Sequence, residues 1–226
     1  MIELINVSKN FGTGDMTVPV LNDINLKINK GDFVSIMGPS GSGKSTLLYL
    51  MGGLDKATEG DIIINNVKIN SLDDNEQSKM RRKDIGFVFQ FYNLIPNLTV
   101  EENIMLPALL DGENKKEIKD RVDNLLKLVG LSERRNHTPR ELSGGQQQRT
   151  AIARALITNP DIIFADEPIG NLDSKSGEEI LTLLQKINKE CNTTIIMVTH
   201  SEESSKYGNR VVRILDGKIV ENTERQ

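Results

Sequence analysis

Apolar residues along this chain keep two different periods. In IELINV (2–7), VLNDINLKI (20–28) and DIIINNVKI (61–69) they alternate with polar residues or cluster as β-branched side chains between turn signals, which predicts strands. Three short runs do not alternate. FVSIM (33–37), IIFAD (162–166) and TIIMVTH (194–200) are nearly continuous in Ile, Val, Phe and Met, as in strands covered on both faces, and they predict a parallel core sheet. Elsewhere the period lengthens. Ile118, Val122, Leu125, Leu126 and Val129 fall on one face of a helix that Gly130 is placed to end. Residues 92–158 read as mostly helical while their flanks mix strand and helix, so the pattern predicts an α/β domain with a helical insert. VVRILDGKIVE (211–221) is two strand-like runs around Asp216 and Gly217, a hairpin signal, and NTERQ (222–226) reads as a frayed tail.

Composition narrows the class mainly by exclusion. With 226 residues, 37% hydrophobic and 27% charged, the chain is expected to fold as a single globular domain over residues 1–226. Its 28 Lys and Arg against 32 Asp and Glu leave a net charge of −4, which gives no attraction to nucleic acid, so no nucleic-acid partner is expected. The sequence has no apolar run of about 18 residues and no secretory leader pattern, so the chain is expected to stay in the cytosol. Cys191 is the single cysteine and reads as an incidental thiol.

Candidate chemistry begins at MGPSGSGKSTLL (37–48). Gly38, Pro39, Ser40, Gly41, Ser42, Gly43, Lys44, Ser45 and Thr46 match G-x-x-x-x-G-K-[ST] after an apolar strand and before an apolar helix. Bare backbone lets N–H groups turn inward around phosphate oxygens, and the helix adds its positive N-terminal end. Lys44 is then placed to bridge the β- and γ-phosphates and the Ser45 hydroxyl to ligate Mg²⁺. DIIFADEP (161–168) adds Asp166 at a strand end as the metal-side carboxylate and Glu167 to polarise an attacking water. The cofactors these motifs predict are a nucleoside triphosphate and Mg²⁺.

LSGGQQQRTAIARAL (142–156) makes the pattern specific: with it, the sequence resembles the ATP-binding-cassette (ABC) ATPases over essentially its whole length. Ser143, Gly144, Gly145 and Gln146 form a second small-residue helix start suited to phosphate. The resemblance implies that they cap a nucleotide held by a second copy of the chain, so that two ATPs lie in a head-to-tail homodimer. It also implies that Gln90 senses the γ-phosphate and Mg²⁺ and leads into the helical subdomain, that Gly170 to Asp173 form the loop crossing the dimer interface, that His200 contacts the γ-phosphate, and that Phe11 stacks on adenine. In this scheme 1–90 and 159–226 form the nucleotide-binding core with an N-terminal antiparallel β subdomain, and 91–158 the helical subdomain. Two positions depart from the family's usual residues. Ile169 stands where threonine is usual and Thr150 where valine is; the missing hydroxyl at 169 is expected to alter local hydrogen bonding.

FQFYNLIPNLTVEENIMLP (89–107), the three glutamines 146–148 and DEPIGNLDSKSG (166–177) resemble the branch holding macrolide exporters (MacB), lipoprotein-release ATPases (LolD), FtsE and peptide-antibiotic resistance ATPases (BceA). That resemblance implies a partner permease with a large extracytoplasmic domain and a place on the cytoplasmic face of the membrane. KMRRKD (79–84) reads as a solvated turn before the strand that leads to Gln90, or as a contact for anionic lipid or a permease loop. Two other classes compete. A soluble ABC ATPase acting on DNA or ribosomes usually carries a long coiled-coil insertion or two cassettes, and this chain has neither. A non-hydrolysing regulatory cassette is opposed by Lys44, Asp166, Glu167 and His200.

Overall fold

The computed structural model describes residues 1–12 and 16–225. The first sheet is antiparallel. Strand β1 (Ile2–Phe11) pairs with β2 (Val18–Ile28) on one side and with β4 (Glu59–Ile64) on the other, and the short β5 (Val67–Lys68) completes a four-stranded sheet in the order β2-β1-β4-β5. Its alternation is real. Along β1, Ile2, Leu4, Val7 and Lys9 are buried, and the apolar three pack over the core while polar neighbours face water.

The second sheet has six strands in the order β10-β9-β3-β8-β7-β6. The runs read as doubly covered strands are β3 (Phe33–Met37), β7 (Ile162–Asp166) and β8 (Thr194–Val198), joined by β6 (Ile85–Phe89) and β9 (Arg210–Leu215) in parallel pairing. The edge strand β10 (Lys218–Glu224) runs antiparallel to β9, so the sheet is mixed. Helix α1 (Lys44–Met51) presses Leu47, Leu48, Leu50 and Met51 into the apolar core beneath the sheets, and α6 (Ser174–Cys191) packs Ile180, Leu184 and Ile187 into the cluster on β7 and β8. Helices α3 (Val100–Leu110), α4 (Lys115–Leu128) and α5 (Gly144–Leu156) share a third cluster built on Ile104, Ile118, Val122 and Ile157. Gly130 follows α4 with a positive φ of 68°, as its stop position requires. A last short helix, α7 (Glu202–Ser205), lies between β8 and β9.

Two expectations are corrected. KMRRKD is no turn: helix α2 (Asp74–Lys83) includes it up to Lys83, started by a reciprocal Asp73–Glu76 capping box. Three of its four basic residues are engaged within the chain, Arg81 donating to the Gly53 carbonyl at 2.8 Å and both Arg82 and Lys83 lying against Asp111 at 3.7 and 3.2 Å. The tail does not fray from Asn222 to Glu224 but pairs with β9, and Arg225 donates its backbone N–H to Asn209 O at 2.7 Å; Gln226 lies outside the described residues.

Candidate active site

The parallel strands deliver their chemistry at one end. Strand β3 runs into the glycine loop, β7 ends in Asp166 with Glu167 next in the chain, and β8 leads to His200. Phe11, Ser40, Gly41, Gly43, Lys44, Ser45, Thr46, Glu167 and His200 line one cleft of about 480 Å³, with Val20 as the added apolar wall. Gly38 is required by close approach: a Cβ there would lie 2.1 Å from Ile214 O. Gly43, the N-cap of α1, holds φ at 98° and gives the helix no side-chain cap, so the first-turn amides of α1 stay available to an anion. Lys44 is buried and donates to Pro39 O at 2.8 Å, while the buried Ser42 Oγ has no hydrogen-bond partner among the described residues. Free amides, a lysine and an orphaned hydroxyl around one loop suit a polyphosphate.

Ser45 Oγ donates to Asp166 Oδ1 at 2.9 Å across 121 residues of sequence. A hydroxyl and a carboxylate are the hard oxygen donors that Mg²⁺ takes, and no group of three His, Cys, Asp or Glu side chains gathers among the described residues. The set therefore fits a Mg²⁺ that arrives with phosphate oxygens and keeps several waters. Tyr49 completes the arrangement, since its hydroxyl donates to Asp166 Oδ2 at 2.7 Å. Burial, and then the bond to this carboxylate, push the Tyr49 phenol up to about 12, so it remains a proton donor at neutral pH.

Glu167 follows at φ 45°, a left-handed conformation that a non-glycine residue adopts at a cost. Its N–H donates to Val198 O at 3.1 Å, tying the acid to the neighbouring strand, and its carbonyl accepts from Gly170 N at 3.0 Å. The carboxylate lies 3.5 Å from His200 Nδ1, and the imidazole is largely exposed over the cleft. Phe11 stands at the opposite wall, 45% exposed, with Lys9 Nζ 4.7 Å from its ring centroid. Lys9 is fixed in turn by Asp55 Oδ1 and Lys56 O, both at 2.8 Å.

Other expected residues are not in this cleft. Ser143 caps α5 through a reciprocal box with Gln146, whose N–H reaches Ser143 Oγ at 3.3 Å, and Asp173 caps α6 through Ser176 N at 3.0 Å. Neither they nor Gly144 and Gly145 line the cleft of their own chain. Gln90 comes just after β6 and donates to Asn171 Oδ1 at 3.2 Å, with Asn171 Nδ2 returning to Gln90 O at 3.1 Å. Three joining residues escaped the sequence reading. Buried Gln148 bonds Pro168 O at 2.6 Å and Phe89 O at 3.3 Å, and Arg154 donates to the carbonyls of Tyr92 and Asn93. Tyr49 is the third, and its spacing of four from Ser45 on one helix face was the available signal. Ile169 packs its methyl groups against Gly177 and the α6 cluster, so the departure there is filled with apolar contact. Thr150, also buried, returns its hydroxyl to Gln146 O at 2.9 Å.

A model of the ABC transporter family matches residues 21–170. The chain belongs to the ABC transporter ATP-binding family. Among its ABC relatives is the uncharacterized ABC transporter ATP-binding protein MJ0796 of Methanocaldococcus jannaschii, 51% identical over 226 residues that cover 97% of this chain and 95% of that one. The macrolide export ATP-binding/permease protein MacB of Marinobacter nauticus is 48% identical over 99% of this chain, which spans 34% of the MacB length. A solved dimeric structure of the MJ0796 cassette in a post-hydrolysis state with ADP and Pi superposes with a TM-score of 0.91 at 47% identity, covering 100% of this chain and 99% of that one. This ABC chain is thus an ATPase cassette, and no helix among its described residues is long and apolar enough to cross a membrane.

Proposed function

We propose that this chain is the ATP-hydrolysing subunit of a MacB- or LolD-type transporter, closing head-to-tail on a second copy around two MgATP to drive a permease with an extracytoplasmic domain. One observation carries the reading: Lys44, Ser45, Glu167 and His200 line one cleft with Asp166 bonded to Ser45 behind it, whereas the Ser143–Gln146 helix start and Asp173 lie outside that cleft. In the closed pair, Lys44 and the α1 amides hold the phosphates and Phe11 stacks on the base. Ser45 and Asp166 hold Mg²⁺, which neutralises charge on the phosphates. Glu167 orients the attacking water and accepts its proton, His200 steadies the γ-phosphate side, and Gln90 follows the phosphate from the head of the helical segment 91–158. Ser143 to Gln146 of the partner cover the γ-phosphate from the far side.

The permease half of the reading is supported by a groove of about 430 Å³ lined by Leu54, Phe87, Asn93, Leu106, Pro107 and Leu110. Of that lining Leu110 is 65% exposed, and Phe91, next to Gln90 in the chain, is 72% exposed, so large apolar side chains face outward here. In this reading the protein works on the cytoplasmic side of the membrane, held there by its partner. The test is Glu167→Gln with saturating MgATP, followed by size-exclusion chromatography. A trapped dimer is expected; a variant that binds MgATP and stays monomeric refutes the sandwich. Recovery of the same variant from solubilised native membranes brings a permease with it, and recovery of ribosomal or DNA-repair proteins alone refutes the transport role.

A further inference from the structure

We infer that Tyr49 is a positioning residue for the metal carboxylate, one that sets how tightly the site holds its divalent cation. Ser45 and Tyr49 sit one turn apart on α1, so their side chains emerge on the same helix face. Each takes a different oxygen of Asp166: Ser45 Oγ lies 2.9 Å from Oδ1 and the Tyr49 hydroxyl 2.7 Å from Oδ2. A carboxylate on one bond can rotate about its terminal torsion, which is broad. Held at both oxygens, Asp166 is locked in plane, and the phenol occupies Oδ2 so that Oδ1 and the Ser45 hydroxyl are the pair left for a cation. Tyr49 is half-buried against the core, so its own ring has little freedom, and α1 fixes it to the phosphate loop. Hydrogen bonds that orient a ligating carboxylate typically change metal affinity by about 10–100-fold.

This inference rests on the MgATP reading above, and the test separates the two. The non-hydrolysable analogue AMP-PNP is titrated against the full chain in EDTA, and in a separate chelator-free sample Mn²⁺ binding to the complex is followed by electron paramagnetic resonance. Tyr49→Phe removes one oxygen and keeps the ring. It is expected to bind metal-free AMP-PNP like the wild type and to bind Mn²⁺ at least about tenfold more weakly. Mn²⁺ affinity within about twofold of wild type overturns the proposal, and so does loss of metal-free nucleotide binding, which makes Tyr49 a general support of the pocket. Combining Tyr49→Phe with Asp166→Asn adds no further loss if the phenol acts through that carboxylate; an additive loss refutes that route. If wild-type AMP-PNP binding itself ignores Mn²⁺, it is the MgATP reading that fails.

Discussion

Asn103 carries a load out of proportion to its size. It lies wholly buried in α3, where its Oδ1 accepts the Ile95 N–H at 2.8 Å and its Nδ2 faces the carbonyls of Ile95, Leu98 and Thr99 at 3.1, 3.1 and 3.0 Å. Two amide hydrogens shared over three carbonyls, with one accepted bond, amount to about three effective bonds at about 1 kcal/mol each. Asn103→Leu keeps the branching and the number of heavy atoms, adds methyl bulk at a fully buried position, and deletes them all. Ile95 is 43% exposed and returns partly to water, whereas the Leu98 and Thr99 carbonyls are held near the α3 N-terminus. The expected loss is therefore about 2–4 kcal/mol in urea denaturation, with unchanged cooperativity. Hydrogen exchange at the Ile95 amide rises at the same time, because the segment after Gln90 loses its anchor. Asn103 touches nothing in the nucleotide cleft, so ATP affinity stays at its wild-type value. A loss under about 1 kcal/mol with Ile95 still protected refutes the idea that this side chain organises the segment.

Three further outcomes follow from the geometry. Gly38→Ala drives a Cβ into Ile214 O, and equilibrium dialysis is expected to show ATP binding lost while the circular dichroism spectrum stays folded; wild-type binding refutes the close approach. Lys9→Met removes the ammonium from over Phe11 and raises KM for ATP about threefold to fivefold with kcat retained, Lys9→Arg restoring it, if the ammonium supports the stacking ring. Glu102, Glu141 and Asp173 are pulled below the ordinary carboxylate range by backbone hydrogen bonds from Thr99 and Thr138 and by side-chain and backbone hydrogen bonding with Ser176. Groups with depressed folded-state values add stability above their unfolded values, near about 4, and lose it as pH falls through the folded ones. Urea midpoints are expected to fall from pH 4 downward, and Asp173→Asn should flatten part of that slope.

What the sequence disclosed was the local part. FVSIM, IIFAD and the hairpin around Asp216 and Gly217 were legible because burial on both faces, or a positive-φ turn, writes itself into adjacent residues. The cleft was legible because the glycine loop and the Asp166–Glu167 pair are contiguous strings. Tyr49, Gln148 and Arg154 were hidden because their partners lie 117, 20 and 62 residues away, and no window of sequence displays such a pairing. KMRRKD failed for a different reason. Its charges look solvated until Asp111, at the far end of α3, is seen to hold two of them.

The order of the six-stranded sheet has a consequence for how the molecule is made. β3 leads to the phosphate loop and β7 carries Asp166, yet they are not neighbours; β8, residues 194–198, lies between them. A chain leaving the ribosome thus exposes its loop long before it owns the strand that aligns it with the two acids. Such separations in sequence slow folding and leave unpaired strand edges open to the wrong partner. Nucleotide stabilises only a state that binds it, so ATP cannot assist the early stages of synthesis. It acts as a clamp on finished cassettes, and truncation anywhere after Thr46 and before Val198 leaves a fragment that carries every phosphate-loop residue without the full strand that aligns the site.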